Sequence, residues 1–228
     1  MGLLARMAMR SLARRPVRTG ITVGAAGLSV VLTLLFMGLT EGSHVQMVDM
    51  AVRLQAGHVV IQAPGFSEDR TLEKRIADPR AVLARMGALP EGGRVVSRIF
   101  AAGLLRSSET SVMIDPLIGV DPDEEAKISL VPRRIVRGSW LTPGSPGLLI
   151  GEKTAHLLQV DVGDRVVLSC SGLTQKVEER LEIVGIFRMG GETDRSMAMV
   201  DRSFAAGFLG LGTAVHQMAV FLPAGTDA

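Results

Sequence analysis

Gly20 to Leu39 reads GITVGAAGLSVVLTLLFMGL, twenty consecutive residues without a charge. At about 1.5 Å per residue, a helix of that length spans roughly 30 Å, the thickness of a bilayer's hydrocarbon core. This stretch decides the class of fold: a membrane helix, with the bulk of the chain beyond it. Immediately upstream, residues 1–19 carry Arg6, Arg10, Arg14, Arg15 and Arg18 and no acid. The positive-inside rule assigns that arm to the cytoplasmic flank and everything after the span to the opposite side. Within residues 3–14, Leu3, Leu4, Met7, Ala8 and Leu12 share one helical face, and Arg6, Arg10 and Arg14 recur at i, i+4. That pattern suits a helix lying on an anionic leaflet. Gly20 and Gly24 have the small-xxx-small spacing that lets membrane helices approach closely.

Two competing readings fare worse. A cleaved signal peptide has a shorter apolar region, about 7–15 residues, and a small-x-small cleavage site. The stretch Thr40-Glu41-Gly42-Ser43-His44 is a poor one. A buried helix of a soluble protein is at odds with five arginines beside twenty uncharged residues.

The whole chain has 228 residues, 47% apolar and 21% charged, which is not a disordered composition. Its mean hydropathy of +0.31 is high for a soluble domain and is explained locally by the span. The net charge of +2 hides an asymmetry: outside the arm, 20 basic residues face all 23 acids. The basic character therefore belongs to the arm. Nucleic-acid binding would need a folded basic surface or stacking aromatics, and aromatics make up only 4% of the chain. Cys170 is the single cysteine, so intramolecular disulfides and cysteine-based zinc sites are excluded.

Beyond the span, Glu41–Leu54 keeps a helical pattern, with Val45, Val48 and Val52 on one side and Met47, Met50 and Leu54 on another. The membrane helix thus continues outward until Gly57. His58–Gln62 reads as a strand. Pro79–Leu89 reads as a helix with Asp78 as N-cap and Pro79 at its first position. Arg94–Ser107 and Ser111–Val120 form two strands around a polar turn. The acidic run Asp121-Pro122-Asp123-Glu124-Glu125 reads as a capped helix start. Residues 121–196 are rich in turns, with strands at Leu148–Ile150, Arg165–Ser169 and Lys176–Phe187 and a short helix at 152–159. A strand at Val200, a helix capped by Asp201 and a last strand at His216–Leu222 follow. The expected fold is α+β: an N-terminal transmembrane helix extended into an α+β domain with a β-rich insert.

Motifs that would carry catalysis are wanting. His44, His58, His156 and His216 are scattered and none lies in H-E-x-x-H, so no metal site is expected. The acidic run lacks the EF-hand spacing. Gly147-Leu-Leu-Ile-Gly151-Glu152-Lys153-Thr154 fails as a phosphate loop, because three residues separate the glycines and Glu152 puts negative charge where phosphate would sit. A strand turning into a helix is the simpler reading. Gly207-x-x-Gly210-x-Gly212 has the wrong order for a dinucleotide fingerprint. Cys170 falls in a strand with no histidine near it in sequence and reads as a packed thiol.

Met9–Thr19, RSLARRPVRT after the methionine, ahead of a Gly/Ala-rich span resembles the opening of FtsX-like ABC permeases, in particular the lipoprotein-releasing LolC/LolE-type group. Further stretches match in family order: Gly57–Ile61, Gly119–Glu125, Arg137–Leu141, Leu149–Ala155, Val162–Val166, Val184–Phe187, Asp194 and Val200. The resemblance implies an inner-membrane permease with its bulk in the periplasm. It divides the chain into a cytoplasmic helix (1–19), a transmembrane helix with a periplasmic extension (20–56), a porter-like α+β part (57–120 and 197–228) and a β-rich subdomain (121–196). It also implies a separate ABC ATPase holding ATP and magnesium, a second permease subunit as a homo- or heterodimer, and a lipid-anchored or lipophilic substrate. No cofactor would be bound by this chain itself.

By the same resemblance, Phe36, Met37, Leu39, Met47 and Met50 would line the substrate path at the dimer interface, with Gly20 and Gly24 packing helices. Three further membrane helices would follow in a longer protein, so these 228 residues read as its N-terminal part. The carrier-binding hairpin of LolC-type members would fall between Leu168 and Leu181, where Ser169–Arg180 is short. That points to a LolE-like or more general exporter, with a MacB-type efflux permease as one alternative. A single-span anchored binding or sensor module, complete as it stands and without transport activity, is the other.

Overall fold

The computed structural model describes the backbone of residues 16–51, 59–86 and 92–221, with side chains of residue 18 and residues 38–51 outside the description. Helix α1, Pro16–Ala51, is one unbroken run of 36 residues. Proline at its first position carries no N–H that the helix would need. The chain divides into two compact units, residues 1–50 and 51–228.

The second unit is built on strands β1 (Val59–Gln62), β2 (Arg94–Arg106), β3 (Ser111–Val120), β4 (Ile135–Gly138), β5 (Gly147–Gly151), β6 (Arg165–Ser171), β7 (Lys176–Phe187), β8 (Ala198–Asp201) and β9 (Gln217–Phe221). Helices α2 (Pro79–Met86), α3 (Pro122–Ile128), α4 (Glu152–Leu158), α5 (Thr193–Ser196) and α6 (Arg202–Leu209) connect them, with a 3-10 turn at Val131–Arg134. The sequence pattern anticipates every long strand. It misses β4 and α5, which are short and polar or arginine-bearing.

The caps explain where the helices start. Asp78 Oδ1 accepts from the backbone N–H groups of Arg80 and Ala81 at the head of α2. Asp121 caps α3 through the Glu124 N–H, and Asp201 caps α6 through the Phe204 N–H. The acidic run at 121–125 is thus a helix start.

Pairing closes the strands on themselves. β2 pairs β3 antiparallel, β3 pairs β8 parallel, β8 pairs β5 antiparallel, β5 pairs β7 parallel, β7 pairs β6 antiparallel, and β6 returns to β2 antiparallel. The ladder is therefore a small closed barrel, in which no strand of the ring is left as an edge and the interior is filled by side chains. Leu105, Ile114, Leu117, Leu148, Ile150, Val166, Leu168, Leu181, Ile183 and Val200 belong to that buried core. Ile114 and Leu117 are three apart yet both face inward, because the register with β2 shifts between Ala101 and Gly103. A similar shift between Leu148 and Leu149 brings Ile186 of β7 inward after Ile183. Residues on the opposite face, Phe100, Ile118, Leu149, Phe187 and Met199, form a second cluster with Phe66 and Val131.

Three strands of the ring come from 121–196 and three from the segments flanking it, so the two stretches build one core between them. β9 and β1 extend the N-terminal half of β2 as a small antiparallel sheet, with Val95 opposite Val220 and Val220 opposite Val59.

Candidate functional site

The membrane helix is defined by what its residues lack. Thr19–Met37 is long and apolar enough to cross a membrane. Ile21, Val23, Leu28, Val31, Leu34 and Phe36 are all exposed, so the helix is greasy around its whole circumference. Two of its hydroxyls are satisfied within the helix: Ser29 Oγ donates to the Ala25 carbonyl at 2.9 Å and Thr33 Oγ1 to the Ser29 carbonyl at 2.8 Å. Such back-bonding is what a polar side chain does where no water is available.

At about 1.5 Å per residue the whole of α1 is roughly 54 Å long, well beyond a bilayer core. The helix therefore runs on past the span as a stalk. Phe36 and Met37 sit near the end of the apolar window with 75% and 67% of their surface free. Leu39, Met47 and Met50 lie further along the same helix; their side chains fall outside the described residues. A β-carbon added at Gly20 or Gly24 would meet nothing within 4 Å, so both positions are open helix surface. Arg6, Arg10, Arg14 and Arg15 lie outside the described residues, as does the side chain of Arg18.

In the second unit the stretch that looked like a broken phosphate loop has a structural task. Gly151 ends β5 where a β-carbon would stand 2.3 Å from the Asp194 carbonyl oxygen. Glu152 forms a two-point ion pair with Arg188. Lys153 Nζ donates to the Gly191 carbonyl at 3.0 Å, and Thr154 Oγ1 donates to the Arg195 carbonyl at 2.8 Å. Asp194 accepts from the N–H groups of Met189 and Gly190. Four successive residues thus clamp the loop 188–196. The local signal was the Gly190-Gly191 pair followed by Asp194; their partners at 151–154 are too far upstream to be read from it.

Cys170 is buried, and burial pushes its thiol up to about 12, so it is a packed side chain as its sequence context indicated. Among the described residues no group of histidines, cysteines and acids could hold a metal ion. The β6–β7 hairpin is closed by residues 172–175, with the Gly172 N–H donating to the Gln175 carbonyl at 2.9 Å.

A bilayer-length helix and an α+β unit on a closed barrel are the parts of a membrane-anchored domain. The chain belongs to the MacB-like periplasmic core domain family, whose model matches residues 19–228. It is 27% identical over 189 residues to the lipoprotein-releasing system transmembrane protein LolC of Xylella fastidiosa strain Temecula1, covering 78% of this chain and 42% of LolC. LolC of strain 9a5c matches to the same extent. The chain therefore spans less than half the length of these curated relatives.

Among solved structures, the periplasmic region of MacB from Actinobacillus actinomycetemcomitans superposes with a TM-score of 0.52 at 11% identity, covering 74% of this chain and 75% of that one. The extracellular domain of the noncanonic ABC-type transporter YknZ from Gram-positive bacteria superposes with a TM-score of 0.51 at 16% identity, covering 74% and 83%. These two likenesses establish the fold. With the family match, they make the chain an ABC-permease-like periplasmic domain on a membrane helix.

Proposed function

We propose that this chain is the N-terminal part of a permease subunit in a bacterial ABC export complex. In this reading a separate ATPase subunit binds and hydrolyses ATP with magnesium in the cytoplasm. The permease, paired with a second copy or a related subunit, converts that work into extraction of a lipid-anchored or lipophilic substrate from the inner membrane. The arginine arm sets the orientation. The observation that carries the reading is the continuity of α1: one helix is apolar on every side for the thickness of a bilayer and then runs on unbroken to Ala51. A plain anchor needs only the first half. A helix that must convey movement from one side of the membrane to the other needs both.

Release of lipoproteins rests on the similarity to LolC. The short β6–β7 connection favours a subunit that does not itself dock a carrier through that hairpin, as in a LolE-like or MacB-type exporter. Phe36, Met37, Leu39, Met47 and Met50 are assigned to the substrate path. Phe36→Asp or Met47→Asp in the whole permease, reconstituted with its ATPase, is expected to reduce substrate release at least tenfold while membrane insertion is unchanged. Release at the wild-type rate in both variants would remove these residues from the path.

A further inference from the structure

Residues 63–77 run from β1 to α2 as a strap of turns. Three of its attachments converge on two neighbouring residues, Val215 and His216. Ile76 exchanges backbone hydrogen bonds with Val215, at 2.7 and 3.1 Å. The Phe66 ring stacks on the His216 ring at 5.2 Å, and the Leu72 carbonyl lies 3.4 Å from His216 Nε2. His216 is wholly buried.

The ring's protonation state is fixed by its partners. Nδ1 accepts from the Phe100 N–H at 3.0 Å, so Nε2 carries the proton and donates it to the Leu72 carbonyl. The neutral ring is thereby satisfied at both ends. A second proton on Nδ1 would set N–H against N–H and bury a charge. No counter-charge is at hand on the elements around it. From the strap, Arg75 acts on the ring with the same sign, and Lys74 is tied to Asp69 and to the Gly65 carbonyl. Arg70 lies over the Phe100 ring, and Glu68 and Glu73 face solvent. From β2, Arg98 is locked to Glu125.

We propose that His216 is an acid-sensitive latch: when the ring takes up a proton, residues 63–77 lift from the sheet while the barrel stays closed. With the strap lifted, the ring can turn from the Phe100 N–H into solvent and titrate near its ordinary value of 6.5; in the closed state burial holds the value below that, outweighing the Leu72 carbonyl, which favours the charged ring. The closed strap therefore keeps its full stability at pH 7.5 and begins to lose it as the pH falls below 6.5. One proton raises the open population by up to about thirtyfold at pH 5. Opening uncovers Phe66, Phe100 and the cluster beneath them, an apolar face that neutral pH conceals. The latch stands whether or not the chain exports anything; the transport reading adds that it would meet the pH of the surrounding medium.

The test is amide hydrogen exchange on the full chain in lipid nanodiscs, read by mass spectrometry at pH 7.5 and 5.0 and corrected for intrinsic rates. Peptides from 63–77 should lose protection at pH 5, by up to about thirtyfold, while peptides around Leu105 and Leu168 hold theirs. Unchanged strap protection overturns the latch, and so does loss of protection throughout the barrel. His216→Asn keeps an acceptor for the Phe100 N–H but does not titrate, and should abolish the pH response of the strap. A response that survives the substitution assigns the effect to another group and refutes the role of His216. The wild-type comparison decides the matter even if that variant folds poorly.

Discussion

Arg98 and Glu125 meet inside the protein with both side chains about 1–2% exposed, the guanidinium Nε at 3.0 Å and Nη2 at 2.6 Å from the two carboxylate oxygens. Two parallel charge-assisted bonds satisfy the pair, but each charge depends on the other to be tolerated there. Arg98→Met should cost about 3–5 kcal/mol, because it strands the Glu125 carboxylate. Adding Glu125→Leu should recover most of that loss. Chemical denaturation of the two variants checks this, and equal destabilisation would show the pair to be uncoupled. Nothing in the sequence announced the partnership. Arg98 shares a strand face with Val96, and its partner comes 27 positions later. Asp121 and Asp201, by contrast, were legible as caps because a cap acts on the third residue along, well within reach of a local pattern. Residues whose partners are near in sequence could be read; those whose partners are brought by the fold could not.

The same division holds for elements. Most strands could be delimited from alternation and turn residues, β7 to the residue. Their pairing could not, since closure depends on β6 returning to β2 across sixty intervening residues. That seam has a visible requirement. Gly103 of β2 stands opposite Cys170 of β6, and a β-carbon at Gly103 would come 2.6 Å from the Cys170 sulfur. Gly103→Ala should therefore destabilise the unit by about 1–3 kcal/mol. Cys170→Ala in the same chain should return part of the loss, with the Ser169 carbonyl at 3.1 Å keeping the rest. Thermal unfolding of the single and double variants measures both. If the cysteine change rescues nothing, the seam is not as tight as the register indicates. The stretch 151–154 teaches the same lesson. Its residues were noted for chemistry they do not perform, because the loop they clamp lies about forty positions further on.

For the whole molecule, the membrane span was the plainest reading of all, since a bilayer imposes a length and an absence of charge that survive without any tertiary information. The family's order of short motifs carried the rest. One consequence concerns β1 and β9. Val59 lies opposite Val220, so the first and last strands among the described residues of the second unit are neighbours, as antiparallel partners about 5 Å apart. Residues 59–221 expressed alone should fold, giving a cooperative unfolding transition and a circular-dichroism spectrum rich in β-structure; a chain that stays unfolded would show that the unit needs its helix. The neighbouring ends of residues 59–221 also make that stretch a cassette. Spliced into a surface loop of an unrelated carrier protein, it would require that loop to part by little more than the spacing of two strands.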